Sequence, residues 1–198
     1  MNTPHKKNQT ALLVIFALSV IPFGFAWYLA KNPENLTLGK SKGDLLTPPI
    51  TTELTDFKGY DDFTAVNLKE LQGHWVLINL VPQSVCNAVC DEALYKTRQI
   101  NLMIGKDISR VRRAAVLFVN SGDAAFNGEW RADGHLLKVL PARPLLDKLN
   151  QTLGAPVADG MLLIMDPLGN LMMKYPPGYD PYKVKSDLDK LLRISQIG

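Results

Sequence analysis

The sequence predicts an α/β domain, a central mixed sheet flanked by helices, carried behind one N-terminal transmembrane helix. Three observations predict it. Residues 11 to 30 contain no charge. Two continuously apolar runs, Trp75 to Val81 and Ala114 to Val119, bracket a helix-period pattern. The C-terminal third then places a helix, two apolar runs about a tight turn, and a last helix in succession.

At about 1.5 Å per residue, a helix over Ala11 to Ala30 reaches about 30 Å, the thickness of a bilayer's hydrocarbon core. Pro22 and Gly24 are tolerated in lipid, and Trp27 with Tyr28 suits an interface. Bulky Tyr28 stands where a signal-peptidase site needs a small residue, so an uncleaved anchor is expected. The lysine count across the span is nearly balanced, Lys6 and Lys7 against Lys31, Lys40 and Lys42. A short cytoplasmic tail (1–10) and an exported domain are expected, because a ten-residue tail stays inside easily and a cysteine pair suits an oxidising compartment. This reading expects a single-pass protein of the cytoplasmic membrane with residues 31 to 198 outside it.

Residues 31–49, with Pro33, Gly39, Gly43, Pro48 and Pro49, read as a tether, and 50–198 as one domain. All 19 acidic residues but only 20 of the 22 basic ones lie beyond position 30, leaving that portion near +1. So small a balance excludes a nucleic-acid footprint. The cluster Lys106, Arg110, Arg112 and Arg113 reads as a solvated loop face.

Within the domain, Thr51 to Thr55 suggests a short strand. Trp75 to Val81 is too continuously apolar for a sheet with one wet face. Val89, Ala93, Thr97, Ile100 and Ile104 then repeat at helical spacing, and Gly105 marks the end. With Ala114 to Val119 this gives a strand-helix-strand unit, hence a parallel pair with a right-handed crossover. Leu145, Leu146, Leu149 and Leu153 mark an amphipathic helix. Met161 to Met165 and Leu171 to Tyr175 flank Asp166 to Asn170 as a hairpin. Asp180 caps the last helix, Pro181 enters its first turn, and Val184, Leu188, Leu191 and Leu192 form its stripe.

The only two cysteines form Cys86-Asn-Ala-Val-Cys90, just after the first buried run. On the first turns of a helix, positions i and i+4 share a face, so the two sulfurs can close a disulfide or clamp one soft metal ion. A helix start also lowers thiol pKa, which favours a catalytic role for Cys86 and Cys90 over an inert bond. Three further side chains carry donor or proton-accepting atoms: Met161, Asp159 and His135. Met161 offers a soft thioether; Asp159 is a hard carboxylate, better suited to taking a proton from a thiol. His135 lies in the turn Asp133-Gly-His feeding an edge strand, and His74 reads as a surface group. Trp130 and Tyr175 to Tyr179 read as packing and turn residues.

A strand-helix-strand unit, further helix, hairpin and final helix, with cysteines at the first strand-to-helix junction, resemble the thioredoxin-like fold over roughly residues 45 to 193. The CxxxC spacing resembles the Sco/SenC group of membrane-anchored proteins of cytochrome c oxidase assembly. So do Leu68-Lys-Glu-Leu-Gln-Gly-His-Trp-Val-Leu-Ile-Asn79 and Leu163-Ile-Met-Asp-Pro-Leu-Gly169. The resemblance implies copper transfer, with Cu(I) held by Cys86, Cys90 and a third ligand for which Met161, Asp159 and His135 are the candidates, or thiol reduction for a respiratory oxidase, with an oxidase subunit or another assembly factor as partner. Three departures mark the chain as divergent. Asn87 and Asp91 stand where the group carries prolines, Ala158 stands where its ligand histidine should fall, and Gly160 stands near the cis-proline position of disulfide-exchanging thioredoxins. A general thiol-disulfide oxidoreductase, or an interaction module with a structural disulfide, remains open beside the assembly factor.

Overall fold

The structure is a computed structural model that describes residues 5–32, 41–122, 125, 126 and 128–195, with side chains from residue 11 onward. The chain divides into two units, Met1–Lys40 and Ser41–Gly198. The first contains helix α1 (His5–Lys31), which begins within the expected tail. Its stretch Ala11–Lys31, 21 residues of mean hydropathy 2.2, buries nothing within the protein and is long enough to cross a membrane. Residues 33–40, part of the expected tether, lie outside the described residues.

The second unit is one mixed sheet of seven strands covered by helices on both faces. The strands are β1 (Asp44–Thr51), β2 (Phe57–Gly59), β3 (Trp75–Val81), β4 (Val111–Leu117), β5 (Leu136–Pro141), β6 (Leu162–Met165) and β7 (Asn170–Tyr175), in the order β1-β7-β6-β3-β4-β5-β2. The β3 and β4 strands are parallel, as the crossover rule requires, and β5 is parallel to β4. The expected hairpin forms β6 and β7 in antiparallel register.

Three expectations fail at the sheet edges. Residues 44–49, assigned to the tether on their prolines, belong to β1. An edge strand tolerates proline because its outward amides need no partner, and the pairing with β7 skips between Leu45 and Ile50, where Pro48 and Pro49 sit. Thr51 ends this strand; Leu54–Asp56 is a 3-10 turn. The expected edge strand β5 is covered by β2, three residues too short to show an alternating pattern.

Helix α3 (Ala88–Met103) and helix α6 (Pro181–Ile194) cover one face of the sheet, with Leu77, Ala93, Ile100, Leu162, Ile164, Val184, Leu188 and Leu192 in the core between. Asp180 caps α6 by accepting from the Tyr182 amide, as its sequence suggests. The other face packs helix α5 (Arg143–Leu153) through Leu145 and Leu149, while helix α2 (Asp62–Asn67) lies against β2 and β5. A single-turn helix α4 (Gly128–Arg131) buries Trp130. Every residue of β3 is buried, so the strand that delivers the cysteines is held from both sides.

The start of the domain is pinned to its end. Asp187, 2% exposed, accepts hydrogen bonds from the Lys42 and Gly43 amides at 2.5 and 3.0 Å and from the Tyr175 hydroxyl at 3.0 Å. Burial first, and the Asp187 charge second, push the Tyr175 hydroxyl far above its ordinary pKa, so it stays a neutral donor.

Candidate redox site

The chain leaves β3 at Val81 and turns through residues 82–85 into α3. Only Cys90 lies in the helix; Cys86 precedes the cap residue Asn87, so the expected pairing of both thiols on helical turns is replaced by a ring spanning the cap. Asn87 is the reason. Its side-chain oxygen accepts from the Val89 amide at 2.9 Å and the Cys90 amide at 3.1 Å, which starts the helix at Ala88, two residues after Cys86. The two cysteines are joined as a disulfide with their Cα atoms 5.3 Å apart. Cys86 is partly exposed and its amide donates to the Ala125 carbonyl at 2.9 Å; Cys90 is only 1% exposed. One sulfur can meet a partner, and the other is shielded.

The segment before β6 packs onto this ring. A side-chain carbon on Gly160, whose φ is +75°, would stand 2.8 Å from Val89 Cγ1 and 3.1 Å from the Val89 carbonyl oxygen. Only glycine permits that approach with that backbone. The neighbouring Asp159 carboxyl lies beside the Asn87 amide. Burial pushes its pKa above the ordinary carboxylate value; the Gly160 amide and Asn87 oppose that shift more weakly. Neither forms a well-shaped hydrogen bond, and both carboxyl oxygens are closed to solvent without a partner. Other acids near the ring are engaged: Asp91 accepts from Trp130 Nε1 at 2.5 Å, and Glu92 pairs with Lys96 at 2.7 Å.

The remaining third-ligand candidates fall elsewhere. The β3, β4 and β5 strands start at one end of the sheet, where Trp75 faces Val111 and Arg113 faces Leu136. His74 and His135 precede these starts, while Cys86 follows the far end of a seven-residue strand, about 20 Å away. His74 is half-buried, its ring against Arg112 Nη2 at 3.0 Å and near Glu70. Met161 joins Val157, Leu163 and Met165 in the core on the α5 face, opposite α3. Among the described residues no three His, Cys, Asp or Glu side chains converge to hold a metal ion. The donor set at the ring is two sulfurs and a hard carboxylate, which does not fit a three-ligand Cu(I) centre.

Three of the four members of the basic cluster depart from the solvated face the sequence suggests, while Lys106 is exposed as expected. Arg110 donates to the Leu192 and Ser195 carbonyls at 3.0 and 2.9 Å, Arg112 pairs with Glu70 at 2.8 Å, and Arg113, 3% exposed, pairs with Asp133 at 2.7 Å. These arginines tie elements together. Trp130, expected as a packing residue, is 2% exposed. Asn87, the cap that separates the two cysteines, is not among the site residues expected from the sequence. An asparagine two residues before a helical run is the signal that marks it.

The family model described as "Transmembrane-like, thioredoxin-like, C-terminal domain" matches residues 75–195, more than half of the chain. No curated protein matches the sequence. Among solved structures, apo Sco1 from Thermus thermophilus aligns at 14% identity and TM-score 0.52, over 80% of this chain and 99% of that one. Arabidopsis thaliana ScoI with copper bound aligns at 14% identity and TM-score 0.50, over 64% of this chain and 88% of that one. Yeast Sco1 aligns at 17% identity and TM-score 0.50, over 64% and 84%. Likeness at such identity establishes the thioredoxin-like fold.

Proposed function

The chain belongs to the family of transmembrane-like, thioredoxin-like C-terminal domains, and from that premise we propose that it is a membrane-anchored thiol reductant of copper-oxidase assembly, acting through Cys86 and Cys90. The observation that carries the chemistry is the asymmetry of the pair: a partly exposed Cys86 at the positive end of α3 and a shielded Cys90 inside its first turn. The oxidase setting rests on the resemblance to Sco proteins, some of which are solved with copper bound. Partners of the required kind are exported proteins whose copper-binding cysteines must be reduced before they take metal.

In the reduced protein, the Cys86 thiolate attacks one sulfur of a partner disulfide. That bond breaks, a mixed disulfide forms, and the first partner sulfur leaves as a thiolate. The Cys90 thiol then gives its proton to the Asp159 carboxylate, directly or through one water, and the Cys90 thiolate attacks Cys86. The Cys86–Cys90 bond closes and the second partner thiolate departs. A buried thiol cannot lose its proton straight to solvent, which is why the unpaired carboxylate beside Asn87 suits this step. Restoring the dithiol takes two electrons and two protons from an external dithiol protein.

Trapping tests the assignment. The full-length Cys90→Ser protein, mixed with a disulfide peptide carrying a copper-site dicysteine, should accumulate a mixed disulfide through Cys86; Cys86→Ser should not. Equal trapping by both variants, or by neither, would reject the reading. Reporter fusions after Gly198 test the proposed periplasmic side, and activity only from a cytoplasm-specific reporter would reverse it.

A further inference from the structure

At the end of the sheet far from the dithiol, a cleft of about 600 Å3 opens between α2, α3 and the first residues of β4 and β5. Its volume is that of small-molecule sites. Phe63, Leu102 and Ile108 line it and are 40, 59 and 41% exposed. Three large apolar side chains from three separate elements thus converge on one space instead of burying in the core. The charge of the lining is lopsided: Arg98, Arg112 and Arg113 stand against the carboxylates of Glu70 and Asp133. Arg112 is committed to Glu70, Ser109 and His74, and Arg98 bonds Glu129 from an exposed position.

Arg113 is the telling group. It is 3% exposed, and its Nη2 donates to Asp133 at 2.7 Å, but its Nη1 is shut away from solvent with no acceptor. Buried guanidinium nitrogens are normally paired, and an orphan beside a cleft signals an acceptor that completes the site. A neutral apolar guest would leave that nitrogen unpaired. An inorganic anion would leave the apolar wall wet. Only a molecule with both characters satisfies the two at once.

We propose that this cleft binds a small amphipathic carboxylate, its carboxylate paired with Arg113 and its acyl or aryl body lying along Phe63, Leu102 and Ile108. Planar, bidentate pairing is what a guanidinium offers a carboxylate. The site is separate from the cysteines, so occupancy does not depend on disulfide exchange.

The test is equilibrium dialysis of labelled 4-phenylbutyrate against the full-length protein in nanodiscs, with protein-free nanodiscs as blank. One saturable site is expected. Excess 4-phenylbutan-1-ol and excess acetate should each compete at least tenfold more weakly than unlabelled 4-phenylbutyrate. Leu102→Trp, a substitution at an open position that fills the cleft, should abolish binding, and Arg113→Lys should weaken it at least tenfold. Absence of saturable binding above the blank, equal competition by the alcohol, or wild-type binding by Leu102→Trp would overturn the proposal. Because Arg113→Lys also touches the Asp133 pair, Leu102→Trp decides the matter if the former protein does not fold.

Discussion

Replacing Asp159 by asparagine should make the protein more stable and less active. Both carboxyl oxygens are sealed from solvent and unpartnered, and leaving a buried polar group unsatisfied costs about 1–3 kcal/mol. An amide of the same shape carries no charge to desolvate and can bond the neighbouring Asn87, so a gain near the low end, about 1 kcal/mol, is expected at pH 7. For a domain of this size that raises Tm by about 3 °C. The pH dependence supplies a sign. Burial raises the carboxyl's folded pKa, so the folded state holds its proton longer than the unfolded chain does. Stability therefore falls as pH climbs from the unfolded carboxylate value through the raised folded one. The asparagine variant lacks that loss, and its advantage should be larger at pH 7 than at pH 3.5. Thermal melts at the two pH values measure this, while stopped-flow reduction of a disulfide peptide measures exchange, which should slow by about a hundredfold if the carboxylate takes the Cys90 proton. A variant that melts below the wild type would refute the burial argument. One that melts higher but exchanges at the wild-type rate would remove Asp159 from the mechanism.

Three further outcomes follow from the same geometry. Ala158→His should tighten Cu(I) binding at least tenfold in competition with a chromogenic chelator, because an imidazole beside the ring supplies the missing third ligand; unchanged affinity would show that another residue already completes the site. Gly160→Ala should cost about 1–2 kcal/mol in denaturant unfolding, since φ is +75° and the new carbon meets Val89, and a neutral result would mean that the loop lifts off the ring freely. For Asp133, burial raises the pKa, but the Arg113 hydrogen bond, the His135 amide and the arginine charges outweigh it and hold the carboxyl below its ordinary value. Its contribution is present above the unfolded pKa and lost as pH falls through the depressed folded one. Asp133→Asn should cost about 3 kcal/mol at pH 7 by stranding Arg113, with a smaller difference near pH 3; equal losses at both would sink the ion-pair reading.

The sequence by itself determined the elements whose signal is local. An uncharged run of membrane length, the fully apolar β3, the tight turn between β6 and β7 and the capped α6 each declare themselves within about twenty residues, because desolvation, turn geometry and capping act at that range. The cysteine pair was equally legible, as the only two thiols of the chain. Tertiary structure alone decided what surrounds them. Asp159 and Gly160 are some seventy residues from Cys90, and nothing local shows that the missing side chain at Gly160 is what lets its loop settle on Val89, with a buried carboxylate beside Asn87. Met161 looked available for the same site, yet pleating turned it to the opposite face. His135 looked available too, yet parallel strands carried it to the opposite end. The arginines read as a solvated patch because partners such as Asp133, Glu70 and the last carbonyls of α6 come from other elements, and only folding brings a charge and its distant counter-charge together.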